Sequence, residues 1–199
     1  ELRASGILKS PQWHLEELCS EAGTLVVADI TDPMISKVDA SRVFHILLNQ
    51  FRRLDLGNRS KVVAFDEAHK YLDGQQTGLA SAIITTVRLM RHEGIRVLIS
   101  TQSPLTMPPE LFELVSIVVV HRTHAKGWLN FLASYTSIKP DHADHCFELD
   151  RGDALVFCTA DDLNLGKVFR FRFRQRITMD YGASRQNEAV CSRSEVEPA

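Results

Sequence analysis

An α/β fold built on a mostly parallel sheet is what this sequence predicts, and three observations predict it. Short, nearly continuous apolar runs recur along the chain, as expected of strands covered on both faces. Longer segments between them place apolar residues at helical spacing. The composition is that of one well-buried core: 199 residues, 44% hydrophobic, 24% charged, with a formal net charge of −2. With 10 glycines and 7 prolines, collagen, coiled coil and wholesale disorder are excluded. The near-neutral balance argues against coating nucleic acid or a membrane by bulk charge. No run approaches the roughly 18 apolar residues of a membrane span.

The elements follow in order. Thr24 to Asp29 is a continuous apolar run and predicts a first strand. Ser41 to Leu54 carries Val43, Phe44, Leu47, Leu48 and Phe51 on one helical face. Lys61 to Phe65 predicts a second buried strand, and Thr77 to His92 a second helix that Gly94 stops at its C′ position. Ile95 to Ser100 is a third strand. A short helix over Pro108–Leu114 precedes a fourth strand, Val115–Val120, and Ala125 to Tyr135 reads as another helix. Ala154–Phe157 and Val168–Arg174 complete the set, and the polar stretch from Gly182 to Ala199 reads as a loose tail. Right-handed crossovers place the first three strands side by side, all running one way.

Function follows from that geometry. Residues just past each parallel strand collect on one edge of the sheet, the edge where open α/β sheets bind ligands. Asp29 and Asp32, Asp66, Glu67 and His69, and Thr101 and Gln102 are those residues. A carboxylate at a strand's end suits Mg²⁺, which takes one or two carboxylates together with waters and phosphate oxygens. A second carboxylate next door can polarise a water aimed at phosphorus. The plain alternative is a solvated acidic pair that opens the loop before the next helix. The interval from Glu67 to Gln102 holds one helix, two short loops and one strand. A helix over Thr77–His92 spans roughly 24 Å, about the return along a sheet, so Gln102 is expected beside the carboxylates.

The segments Val62-Val63-Ala64-Phe65-Asp66-Glu67-Ala68-His69, Arg88 to Gly94, and Val97-Leu98-Ile99-Ser100-Thr101-Gln102-Ser103-Pro104 resemble the HerA/FtsK branch of P-loop NTPases. Ile117 to Arg122 followed by Trp128 to Phe131 is further similar to the HerA-like ATPase domains of fungal proteins. The resemblance implies a RecA-like P-loop sheet, mostly parallel with helices on both faces. It also implies a Walker B pair at Asp66-Glu67 and a sensor at Gln102. On it, Asp66 assists Mg²⁺, Glu67 activates water and Gln102 senses the γ-phosphate of ATP. The family's Walker A motif, G-x-x-x-x-G-K-[ST], is absent, so the residues that would cradle the nucleotide phosphates are unassigned. With its Glu1-Leu2-Arg3-Ala4 opening, the chain reads as the C-terminal portion of a motor domain, its N-terminal part missing. Asp-Glu-Ala-His also occurs in DEAH-box helicases, but the Ser-Ala-Thr motif and second RecA-like domain of that family are not here.

Other signals carry simpler readings. Arg88, Arg91 and Arg122 are candidates for an arginine that reaches a neighbour's site, Arg122 foremost because it abuts a strand end. The simpler role of each is a surface arginine whose stem covers apolar area. His142, His145 and Cys146 share a helical face, but zinc needs a fourth ligand, and ordinary surface histidines are the favoured reading. Phe169 to Arg174 alternates Phe and Arg, with same-face residues roughly 6.6 Å apart. It is read as a late strand with its Phe face in the core, ahead of a basic stripe for DNA. The four cysteines form no CxxC pair, which points to a reducing, intracellular compartment, cytoplasmic or nuclear.

The expectation is therefore a partial RecA-like ATPase domain over residues 1–181 and a tail over 182–199. In the complete domain it hydrolyses ATP with Mg²⁺. The resemblance implies coupling to movement along double-stranded DNA in a homo-oligomeric ring, with no membrane partner. The rival expectation is a non-catalytic interaction module that kept the fold and lost nucleotide binding.

Overall fold

The computed structural model describes residues 14–30, 32–57, 59–72, 78–136, 138–139, 141–158 and 168–175. A single-turn helix α1 (Leu15–Leu18) leads to α2 (Lys37–Arg53). The latter begins a turn earlier than its apolar spacing suggests, because Ser36 caps it: its hydroxyl accepts the Asp39 N–H at 3.1 Å. At the far end Lys61 is buried, at 7% exposure, yet fully used. Its ammonium donates to the carbonyls of Arg52 (2.7 Å), Leu54 (3.1 Å) and Phe51 (3.4 Å), the groups a helix end leaves without partners. Burial pushes the Lys61 ammonium down from its ordinary range.

Strand β1 (Lys61–Phe65) pairs in parallel with β2 (Ile95–Ile99), Phe65 lying opposite Ile99. Between them, α3 (Gly78–Glu93) returns across the sheet and ends at Gly94, whose φ of +61° only glycine adopts freely. Helices α2 and α3 pack on one face, where Phe44, Leu48, Phe65, Leu79, Ile83 and Val87 form a core. Arg52 and Glu93 close the ends of these helices with two hydrogen bonds, at 2.8 and 2.6 Å. That contact holds the Glu93 carboxyl below the ordinary carboxylate range. The opposite face carries Val62, Ala64 and Leu98 and is exposed among the described residues, Val62 at 57% and Leu98 at 60%.

The chain continues through α4 (Pro109–Leu114) into a second sheet, the antiparallel meander β3 (Ile117–His121), β4 (Asp153–Cys158) and β5 (Val168–Arg172). Helices α5 (Lys126–Tyr135) and α6 (Asp141–Phe147) cover one face of it. There Val120, Leu155 and Phe157 pack with Leu129, Leu132 and Cys146.

Two expectations are corrected. Thr24–Asp29 is not a strand: residues 24–30 have no regular structure, and Leu25 and Val27 are 83% and 75% exposed. An apolar run becomes a strand only against a ladder partner, and this one pairs with neither β1 nor β2. The alternating Phe–Arg segment also turns the other way. Register puts Arg170 opposite Leu155 and Arg172 opposite Asp153, on the face that α5 and α6 cover. Phe171 lies opposite Ala154 on the other face, 45% exposed, with Phe173 beyond it at 43%. The reason is electrostatic. Asp153 is 3% exposed and accepts hydrogen bonds from both Arg170 and Arg172, so the arginines must share its face. Those two arginines are thereby committed to the fold. The expected boundary at 181/182 lies outside the described residues.

Candidate active site

The site begins where β1 stops. Two backbone hydrogen bonds extend the parallel pairing past the strands, Ser100 N–H to Phe65 O at 2.8 Å and Ala68 N–H to Ser100 O at 2.9 Å. They lock the two strand ends together, and Ala68, with no exposed surface, pins the following 3₁₀ turn, Ala68–Lys70. Asp66 and Glu67 sit in the bend between strand and turn. Glu67 takes φ +51° and ψ +41°, the one positive φ among the described residues other than glycine. For a glutamate this left-handed conformation costs on the order of 1–2 kcal/mol. It persists because the Glu67 N–H donates to Asp66 Oδ1 at 3.0 Å and to Ser100 Oγ at 3.3 Å, while its carbonyl accepts the Lys70 N–H at 2.8 Å.

Three of the residues singled out in the sequence meet here. Glu67 Oε1 accepts a hydrogen bond from Gln102 Nε2 at 2.5 Å, across the two strand ends. Asp66 Oδ1 accepts from the Ser100 hydroxyl as well as from the Glu67 N–H. Its Oδ2 has no described partner, and the residue is exposed. An exposed carboxylate with one oxygen oriented and the other open to solvent fits a hydrated Mg²⁺, which needs little more from protein. Among the described residues no group of three or more His, Cys, Asp and Glu side chains is placed to hold a metal ion.

Residues that sequence reasoning passed over complete the arrangement. Ser100 precedes Gln102 by two positions, and its hydroxyl bridges Asp66 and the Glu67 N–H. His69, read from sequence as a packing or loop residue, accepts the Gln102 backbone N–H on Nδ1 at 3.3 Å. Its Nε2 faces Glu67 Oε2 at 3.6 Å, and Lys70 Nζ lies 3.3 Å from that same oxygen. Tyr71 donates to the Asp66 carbonyl at 2.8 Å; burial, with Asp66 and Glu67 nearby, pushes its phenol up to about 12.

The other candidates lie apart. Arg122 follows β3, is exposed, and forms no hydrogen bond or ion pair with Asp66, Glu67 or Gln102. Arg88 pairs with exposed Glu110 at 3.5 Å, and Arg91 is exposed. Asp32 shapes the turn before α2 by accepting the Met34 N–H at 2.8 Å. In α6, His142 Nδ1 accepts the Lys139 N–H at 3.1 Å and its ring packs on Phe157, while Cys146 is fully buried.

Comparison with known proteins follows this geometry. Residues 35–126 match the model of the family described as helicase HerA-like C-terminal, a span that includes Asp66, Glu67, Gln102 and Arg122. The match bears out the resemblance to the HerA/FtsK branch. The chain is similar in structure to B204, the DNA-packaging ATPase from Sulfolobus turreted icosahedral virus, with a TM-score of 0.58 and 21% identity over 75% of this chain and 66% of that one. It is also similar to the genome packaging NTPase B204 from Sulfolobus turreted icosahedral virus 2 in complex with ATP-gammaS, with a TM-score of 0.56 and 18% identity over 67% of this chain and 62% of that one. The form of that protein in complex with AMPPCP gives 0.55 and 16% over 68% and 63%. At these identities the likeness is one of fold, and it supports the α/β P-loop class. The chain spans 62–66% of the length of these structures. No curated protein matches it in sequence.

Proposed function

We propose that this HerA-like chain is the C-terminal portion of a P-loop ATPase domain, and that the edge formed by Asp66, Glu67 and Gln102 is the water-activating side of its ATP site. The observation that carries this is the Glu67–Gln102 hydrogen bond at 2.5 Å. It joins the ends of two parallel strands at the edge where such sheets bind ligands, within the segment that matches the HerA-like family.

Each residue has a distinct task. Asp66 holds the hydrated metal, its carboxylate aimed by Ser100. Mg²⁺, when bound, neutralises charge on the β- and γ-phosphate oxygens. Glu67 accepts a proton from the attacking water, and its left-handed backbone turns the carboxylate toward Gln102 rather than along the strand. Gln102 orients that water or a γ-phosphate oxygen without adding charge. Arg122, exposed just past β3, is the candidate to complete a neighbouring subunit's site in a homo-oligomeric ring. Double-stranded DNA is the proposed partner of that ring; the support is the likeness to genome-packaging ATPases. No described helix is long and apolar enough to cross a membrane. Cys19, Cys146 and Cys158 are buried free thiols, which supports an intracellular protein.

Nucleotide binding and turnover in the full-length protein test the assignment. Asp66→Asn weakens the Mg²⁺ dependence itself, and Gln102→Ala slows turnover with little loss of binding. Arg122→Ala is rescued in mixed assemblies whose neighbours supply an intact site. Parental Mg²⁺ dependence in Asp66→Asn would remove the metal assignment.

A further inference from the structure

We propose that His69 is a positioning residue that holds Gln102 opposite Glu67, an inference that rests on the ATP-site reading above. The three residues form a closed ring of contacts. Gln102 Nε2 donates to Glu67 Oε1 at 2.5 Å, the Gln102 backbone N–H donates to His69 Nδ1 at 3.3 Å, and His69 Nε2 faces Glu67 Oε2 at 3.6 Å. The last separation is too long for a hydrogen bond. The backbone bond fixes the ring's tautomer: with Nδ1 accepting, the proton of the neutral imidazole is on Nε2, the nitrogen nearest the carboxylate.

The amide of Gln102 is the far end of a flexible side chain, so its bond to Glu67 does not by itself fix where the side chain starts. Gln102 is exposed, and the His69 ring is what ties its backbone to the other strand-end loop. The ring can do so because its own base is rigid. Ala68 and Leu72 on either side are 0% and 1% exposed, and the Leu72 N–H donates to Ala68 O at 2.8 Å. Lys70 reaches the same Glu67 oxygen, but its side chain is 63% exposed, and a surface pair of that kind fixes little. His69 therefore sets the height of Gln102 above the sheet edge, and through it the spacing between the γ-phosphate sensor and the water-activating carboxylate.

The test compares His69→Ala with His69→Asn in the full-length protein, because asparagine returns a short acceptor close to the place of Nδ1. His69→Ala slows ATP turnover by about 10–100-fold with nucleotide affinity nearly unchanged, and His69→Asn recovers most of the loss. Site-resolved hydrogen exchange supplies a readout that does not depend on activity. The Gln102 amide exchanges faster in His69→Ala and is protected again in His69→Asn. Turnover at the parental rate in His69→Ala, or equal exchange of the Gln102 amide in the parent and His69→Ala, overturns the proposal. If His69→Ala does not fold, His69→Asn decides: parental-like exchange and turnover support the proposal, and loss of both refutes it. If Glu67→Gln leaves hydrolysis intact, the ATP-site reading fails, and the exchange data alone then decide whether His69 positions Gln102.

Discussion

Two carboxylate sites in this molecule are built from similar parts and do opposite things. At the β4–β5 end, buried Asp153 is gripped by Arg170 and Arg172, with Asp150 adding a contact at 3.1 Å. At the β1–β2 edge, Asp66 and Glu67 are held mainly by neutral donors: a hydroxyl, a side-chain amide and a backbone N–H. The arginines cancel the charge of Asp153 and hold its carboxyl below the usual range, Arg172 by its hydrogen bond most of all and Arg170 in addition. The neutral donors orient the acids of the other site and leave most of their charge for a ligand. The lesson is that a carboxylate's partners report its purpose: cations where it holds the fold, neutral donors where a charge is kept available.

The largest effect expected from this contrast is on stability. Asp153→Ala leaves two arginines without their common acceptor and lowers the melting temperature by on the order of 5–10 °C. In the fraction that stays folded, nucleotide affinity and turnover are unchanged. A variant that melts like the parent but hydrolyses slowly would merge the two sites. Acid titration sharpens the same point. Because the folded-state carboxyls of Asp153 and Glu93 lie below the ordinary range, their stabilisation is present above that range. It is lost as pH falls through the depressed values. Unfolding followed from pH 6 downward, in buffers spanning roughly the Asp and Glu range, should show a shallower acid limb in Asp153→Ala.

A smaller effect of opposite sign belongs to the β1–β2 edge. Glu67→Gly relieves the left-handed strain and should be as stable as the parent or up to about 1 kcal/mol more so, although it cannot activate water. Clear destabilisation in a denaturant melt would mean that Glu67 is structural after all. Smaller again is the contribution of Tyr71, whose hydroxyl bond to the Asp66 carbonyl is worth about 1 kcal/mol. Its folded-state pKa is raised to about 12, so that stabilisation is complete below the unfolded value near 10 and is lost as pH rises toward 12. Phenolate absorbance should show one tyrosine titrating late, and Tyr71→Phe should abolish that step.

Much of the first site was legible in the sequence because parallel strands separated by one helix have little freedom. Once Lys61–Phe65 and Ile95–Ile99 are strands, Glu67 and Gln102 must meet at one edge. The left-handed bend at Glu67 and the tautomer of His69 were not legible, since each depends on the hydrogen bonds at Ser100 and Gln102 that fold the loop. The orientation of the Phe–Arg strand failed for a different reason. Alternation says that two faces differ, but which face turns to the helices is decided by Asp153, a residue 17 positions from Arg170. Thr24–Asp29 shows the same limit: an apolar run records a tendency to be covered and does not name the neighbour that covers it.

The account stands most directly on Glu67→Gln in the full-length protein, with nucleotide binding and hydrolysis measured on the same preparation. The substitution keeps size and shape and removes the carboxylate that takes a proton from water. Nucleotide affinity and Mg²⁺ dependence should be retained, because Asp66 is untouched, while hydrolysis falls by roughly 10²–10⁴-fold, the usual worth of a positioned general base. Hydrolysis at the parental rate would make Asp66 and Glu67 an ordinary acidic loop and contradict the account.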